Sequence, residues 1–176
     1  MCKLFMRKNI VLIGVVAVGI LPCAAMAKTD RSTKDQAFVN EAARGGELEV
    51  KLGKLAEQNG SAAAVKEFGR RMVKDHTRLN AELSATAKSE GLTVPHTIPS
   101  EQQAEYDKLA MAKGTKFDTE YINMMVQDHN EDLAAFQKEA NVTRDAKLKG
   151  SVETAIPVIE EHLKMAKSDS TKLAAR

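Results

Sequence analysis

The chain has no tryptophan, few other aromatic residues, and only two cysteines, both within its first 23 residues. Aromatic residues make up 4% of the chain against 43% hydrophobic residues in total, so aliphatic side chains must fill most of the interior. No stretch alternates β-branched and polar residues in the way that is typical of strands. Alanine, leucine, lysine and glutamate are frequent instead, and this composition favours helices.

The longest hydrophobic run lies at the N-terminus. Three basic residues precede the apolar residues 10–21, a run too short to span a bilayer comfortably, and a small-x-small pattern ends at Ala27. These features predict a secretory signal peptide over residues 1–27, cleaved after Ala27. A retained anchor helix and a lipid-modified Cys23 are the alternatives, although Pro22 makes a poor lipidation signal.

Cleavage would change both the charge and the cysteine content of the chain. The mature 149 residues would carry 23 basic and 24 acidic side chains, and neither cysteine would remain. We therefore predict a periplasmic protein without disulfides or covalent haem, with outer-membrane association and an envelope partner left open. We expect no nucleic-acid partner from this charge balance and no transmembrane segment after cleavage.

Glycines, prolines and polar residues divide the rest of the chain into four long helices and one short one. The predicted helices are 34–58, 61–90, 100–113, 115–140 and 143–169. They form one bundle domain over 34–170, between a flexible lead-in at 28–33 and a polar tail at 171–176. The connection 91–114 is long enough to cross the length of the second helix. We predict an all-α, ferritin-like four-helix bundle, with two hairpins joined by a crossover that holds the short helix.

Local signals predict where the helices begin and where two of them approach closely. The predicted N-caps are Ser61, Ser100, Thr115 and Thr143. Asp118 has the spacing of a capping-box partner for Thr115. Gly45 and Gly46 lack side chains, so we expect a neighbouring helix to pack closely there.

Each long helix carries one ionisable residue on its apolar stripe. These residues are Glu49, His76, His129 and His162, and the first three lie near the middle of their helices. Buried polar groups need partners, and two arrangements supply them. One is a hydrogen-bond network in a structural or stress-related envelope protein. The other is a single metal ion bound by all four residues, a donor set that suits Zn, Fe, Cu or Mn.

An acidic residue precedes each of these histidines. Asp75, Asp128 and Glu161 lie about 100° around the helix from their neighbouring histidines, so they cannot easily join them on one ion. We predict that they orient a histidine of an adjacent helix or lie at the solvent edge. A mononuclear metalloenzyme is a further possibility, but the sequence offers no catalytic nucleophile or phosphate-binding loop.

Several stretches resemble the bacterial domain-of-unknown-function 4142 family, among them "VKEFGRRMVKDHTRLNAELSATAKSEGL" and "FDTEYINMMVQDHNEDLAAF". The resemblance covers roughly residues 35–166 and implies an exported protein with a ferritin-like fold, often described as an outer-membrane protein. The family's recurring positions correspond to Glu49, Asp75, His76, Phe117, Asp118, Tyr121, His129, Pro157 and His162. The Glu-x-x-His motif of di-iron bundles is absent, so the sequence does not predict di-iron chemistry.

Overall fold

The structure is a computed structural model that describes the backbone of residues 23–175 and the side chains of residues 33–175. It contains α1 (Cys23–Asn59), α2 (Ala63–Ser89), α3 (Ser100–Ala110), α4 (Gly114–Val142) and α5 (Ala146–Ala174). No strand occurs between residues 23 and 175, which confirms the all-α class. Residues 1–22 of the predicted signal peptide lie outside the described residues.

The bundle consists of two helical hairpins, as predicted. α1 packs against α2 and α4 packs against α5, while α2–α5 and α1–α4 contacts complete the ring. The crossover leaves α2 beside the N-terminal half of α1, where the Thr93 amide donates to Gln36 Oε1 at 2.9 Å. It arrives at the opposite end, where Asn59 Nδ2 donates to the Ala110 carbonyl at 3.2 Å. The crossover therefore runs the length of the bundle, and α3 lies against α1 and α4.

Two apolar clusters fill the ends of the bundle, and the ionisable residues lie between them. The Phe68 cluster is built around Leu52, Phe68, Met72, Phe117, Tyr121, Ile122 and Met125. The Phe38 cluster is built around Phe38, Val39, Leu83, Ala87, Leu148 and Val152. Each large aliphatic side chain contributes about 1.5–3 kcal/mol when fully buried. The clusters thus hold four helices rigidly around the layer that contains the histidines.

The predicted serine and threonine N-caps are wrong by one or two positions. The N-caps of α2, α3 and α4 are Ala62, Pro99 and Lys113, and none of them caps its helix through a side chain. The N-cap of α5 is Asp145, whose carboxylate accepts from the amides of residues 147 and 148. Several polar residues lie near each helix start, so the sequence alone did not identify the N-cap positions.

Asp118 caps a helix other than its own. It was predicted to pair with Thr115 at the start of α4, but it is fully buried and faces the start of α2. Its carboxylate accepts from the amides of Ser61 at 2.9 Å and Ala62 at 2.8 Å. Those amides have no partner within α2, so a carboxylate from α4 both caps α2 and fixes the two hairpins against each other.

The predicted close approach is found at Gly46 but not at Gly45, and two helix ends differ from the predictions. A Cβ on Gly46 would clash with the Asn80 side chain of α2, whereas nothing lies within 4 Å of a Cβ on Gly45. A further close approach lies at Gly53, where a Cβ would be 2.8 Å from the Gly69 carbonyl, so α1 and α2 touch backbone to backbone there. α1 begins at Cys23 and includes the predicted flexible lead-in, and α5 extends to Ala174 through most of the predicted polar tail. In the described range we find no helical stretch whose length and hydropathy suit a bilayer crossing.

Candidate metal centre

The three predicted histidines meet in the centre of the bundle. His76 comes from α2, His129 from α4 and His162 from α5, and all three are buried. One nitrogen from each imidazole lies within 4.8 Å of the others, and His76 Nε2 is 3.2 Å from His162 Nδ1. Nitrogens on one tetrahedral ion lie about 3.3 Å apart when metal–nitrogen bonds are about 2.0–2.1 Å. The spacing of the imidazoles therefore suits a shared ion.

Glu49 reaches this cluster from α1. Its side chain is 2% exposed, with Oε2 at 2.8 Å from His76 Nδ1 and Oε1 at 3.5 Å from His129 Nε2. Potential ligand atoms of Glu49, Asp128 and His129 also lie within 4.8 Å of one another. Of the four predicted ligands, three converge on one point and the carboxylate lies directly beside them.

Each imidazole turns one nitrogen away from the shared point and towards a hydrogen-bond acceptor. The pairs are His76 Nδ1 with Glu49 Oε2 at 2.8 Å, His162 Nε2 with Asp75 Oδ2 at 3.0 Å, and His129 Nδ1 with the Met125 carbonyl at 3.0 Å. A carbonyl can only accept, so His129 carries its proton on Nδ1 and its Nε2 presents a lone pair. Such outer acceptors are typical of metal-binding histidines, whose orientation and tautomer they set.

Asp75 acts on a histidine of another helix, as predicted. It projects from α2 to His162 on α5 and also accepts from Arg71 Nε one turn earlier on its own helix. Burial alone would raise the pKa of Asp75, but the hydrogen bonds from Arg71 and His162 bring it below its ordinary value. Glu161 lies at the solvent edge, where it accepts from Arg71 Nη2 at 3.2 Å. The i, i+4 spacing of Arg71 and Asp75 on one helix is the sequence signal that could have predicted their ion pair.

Asp128 and Asp132 add two carboxyl groups on the α4 side of the site. Burial raises the pKa of Glu49 to about 8, an effect that Asp128 opposes. Burial and the nearby Glu49 raise the pKa of Asp128 to about 8, and the same two causes raise the pKa of Asp132 to about 9. Among the described side chains, no lysine or arginine forms an ion pair with these three groups. The sequence did not identify Asp132, although it follows Asp128 by one helical turn.

The three imidazoles are neutral at ordinary pH. Burial lowers the pKa of His76 to about 4 and that of His162 to about 4, and the neighbouring histidine adds to the effect at His162. Burial and then the two other imidazoles lower the pKa of His129 to about 3. Neutral imidazole is the form that binds metal, so no histidine has to lose a proton first.

Residues 21–168 match the family described as domain of unknown function DUF4142. The chain belongs to the DUF4142 family. This confirms the resemblance read from the sequence motifs. No curated protein and no solved structure matches the chain.

Two buried atoms of the DUF4142 site, Glu49 Oε1 and His129 Nε2, have no hydrogen-bond partner among the described residues. The proton of His129 is held at the Met125 carbonyl, so its Nε2 cannot donate. His129 Nε2 therefore keeps a lone pair that can accept a proton from a neighbouring carboxyl or bind a cation. Glu49 and Asp128 are the carboxyl groups beside it, and burial raises the pKa of both to about 8.

Proposed function

We propose that this protein binds one transition-metal ion through His76 Nε2, His129 Nε2 and His162 Nδ1, with Glu49 as the adjacent carboxylate. The observation that carries the proposal is that the two nitrogens of each imidazole have different surroundings. Every outer nitrogen has an acceptor, and every inner nitrogen faces the other two rings. A cation at the shared point gives each imidazole a partner on both sides.

The donor set and the available space restrict what such an ion would do. Three imidazoles and a carboxylate suit Zn, Fe, Cu or Mn, whereas the hard ions Mg and Ca prefer oxygen ligands. A cavity of about 30 Å³ lies beside Glu49, His76 and Asp132. That volume holds about one water molecule. This small space supports a role in holding the ion, in structure, storage or sensing, over turnover of an organic substrate at the site.

Metal binding can be tested with a control histidine that the chain itself supplies. The mature protein would be purified without a histidine tag, stripped with a chelator and titrated with Co²⁺ or Zn²⁺. We expect one equivalent to bind, and His76→Ala, His129→Ala and His162→Ala each to weaken binding by about 100-fold or more. His96 is exposed on the crossover, so His96→Ala should bind like the wild type.

Glu49→Gln separates this proposal from a purely structural hydrogen-bond network. Such a network has support of its own, because Glu49, His76, His162, Asp75 and Arg71 form one chain of contacts from α1 to α5. The amide of glutamine can donate to His129 Nε2, so we expect the metal-free variant to be more stable than the wild type. Its metal affinity should fall by about 10- to 100-fold. If the wild type binds no stoichiometric metal and the histidine variants behave alike, the network is the function of these residues.

We also propose that the protein is exported to the periplasm, on the basis of its N-terminal pattern. The basic residues, the apolar run and the small-x-small site support cleavage after Ala27. Mass spectrometry of the protein recovered from a periplasmic fraction should then find Lys28 at the N-terminus. Recovery of the full-length chain from the membrane fraction would instead indicate a retained anchor.

A further inference from the structure

An open groove lies between α3 and α4 on the outside of the bundle, with a volume of about 460 Å³. Its charged lining consists of Glu105, Glu120, Asp128, Glu131 and a single lysine, Lys108. Glu120 is already paired with a lysine of its own helix, but the remaining acids still outnumber the base. A groove with an excess of one charge concentrates ions of the opposite charge, here cations.

Asp128 connects this groove with the buried histidines. It lines the groove, and one of its carboxylate oxygens lies within 4.8 Å of ligand atoms of Glu49 and His129. Glu49 Oε1 and His129 Nε2 are two of the buried atoms without a hydrogen-bond partner among the described residues, and Glu49 and His129 are 2% and 0% exposed. Asp128 therefore lies between the acidic groove and two buried ligand atoms that lack a hydrogen-bond partner.

The other cavities near the site provide no comparable route. The cavity beside Glu49 and His76 has room for about one water molecule, which is too little for a hydrated metal ion. A second open groove, of about 410 Å³, lies along α1 and α2 near His96 but is lined by none of the four proposed ligands or Asp128. The α3–α4 groove is thus a larger opening beside the site, and Asp128 lies between this groove and the ligand atoms of Glu49 and His129.

We infer that metal ions reach the histidines through the α3–α4 groove, with Asp128 as the first carboxylate that binds the incoming ion. The ion exchanges water ligands for an oxygen of Asp128, then binds Glu49 and finally the three imidazoles. Taking a cation out of water is costly, and carboxylates placed along the path reduce that cost in steps. This inference rests on the proposed metal site, but it concerns how fast the site fills rather than whether it binds.

Stopped-flow loading of Co²⁺ into the metal-free protein tests the route. We expect Asp128→Asn to lower the association rate constant about tenfold, because the path has lost the carboxyl group that binds the incoming ion between the groove and Glu49. The visible spectrum of the loaded variant should match that of the wild type, since Asp128 does not stay on the ion. Glu101→Gln removes the same charge from an exposed position on α3 outside the groove, and it should load at the wild-type rate.

The possible outcomes separate the route from the site. If the wild type takes up no Co²⁺, the metal site itself fails. If Asp128→Asn loads at the wild-type rate, or if its loaded spectrum changes, the relay through Asp128 is wrong. Should that variant not fold, the same loading measurement is made on the double variant Glu105→Gln/Glu131→Gln at the groove rim. It should slow loading about threefold at low salt, and an unchanged rate would overturn the inference.

Discussion

The pentapeptide Met-Val-x-Asp-His occurs twice, and its two copies lie in opposite electrostatic surroundings. In both Met72–His76 and Met125–His129 the methionine and the histidine are buried. Asp75, in the first copy, accepts hydrogen bonds from a cation, which lowers its pKa. Asp128, in the second copy, has no such partner, and burial beside another carboxyl raises its pKa to about 8. The residues that the two copies share therefore pack in the same way, but the pKa of the aspartate shifts in opposite directions.

The difference depends on one residue and on the choice of neighbouring helix. The residue four positions before the aspartate is Arg71 in the first copy and Met124 in the second. His76, in the first copy, points its Nδ1 to Glu49 on α1. His129, in the second copy, points its Nδ1 to the Met125 carbonyl of its own helix. Both copies thus offer an imidazole nitrogen to the shared point, but Asp75 is paired with a cation whereas Asp128 lies beside the carboxyl of Glu49.

The largest expected contrast is between the two aspartates themselves. Asp75→Asn loses hydrogen bonds to a guanidinium and to an imidazole, so we expect it to destabilise the metal-free protein by about 2 kcal/mol. Asp128→Asn removes a carboxyl crowded against Glu49, so its effect should be neutral or slightly stabilising. Urea unfolding of both variants at neutral pH measures the difference. Equal losses in the two variants would mean that the copies are electrostatically equivalent after all.

The bundle architecture could be predicted from the apolar periodicity of the helices and from the length of the crossover. Each long stripe predicted an amphipathic helix, and the long crossover implied two hairpins because only an extended segment could traverse the bundle. Helix starts were less predictable, since several polar residues stand near each of them. Asp118 shows the reason: it caps a helix that begins 55 residues earlier in the chain, and no local pattern encodes that contact.

The site was predictable as far as each helix could be considered by itself. An ionisable residue on an apolar stripe must point inward, and this principle identified Glu49 and the three histidines. The partners around them depend on which helices are neighbours. Asp132 and the groove beside Asp128 therefore appeared only in the structure, and Glu161 was found on Arg71 rather than on a histidine.

An exchange at the residue four positions before each aspartate should partly convert one copy into the other. Arg71→Met leaves Asp75 with only His162, and we expect a loss of about 1 kcal/mol because the guanidinium is half-exposed. Met124→Arg gives Asp128 a cation at the same helical spacing, so Co²⁺ loading should slow while stability changes little. Unfolding and stopped-flow loading measure the two effects. Unchanged loading in Met124→Arg would show that Asp128 does not control access.

Glu139 extends the comparison to a buried carboxyl away from the histidines, where we expect the smallest effect. Burial and Asp35 on α1 raise the pKa of Glu139 to about 7, while Lys138 on its own helix acts in the opposite direction. Between the ordinary value of 4.5 and about 7, the folded state holds a proton that the unfolded state has released. The contribution of Glu139 to stability therefore falls as pH rises through that window.

Glu139→Gln tests this sign, because glutamine stays neutral at every pH. Other buried carboxyls also titrate, so the relevant quantity is the difference in unfolding free energy between variant and wild type at pH 5 and at pH 8. We expect the difference to move in favour of the variant at pH 8, where the wild type holds an ionised carboxylate beside Asp35. The exposed Glu153→Gln should show no such change. A difference that is the same at both pH values would mean that Glu139 is as well solvated in the folded state as in the unfolded state. Burial without a neighbouring cation would then not be enough to raise the pKa of a carboxyl, as it is at Asp128.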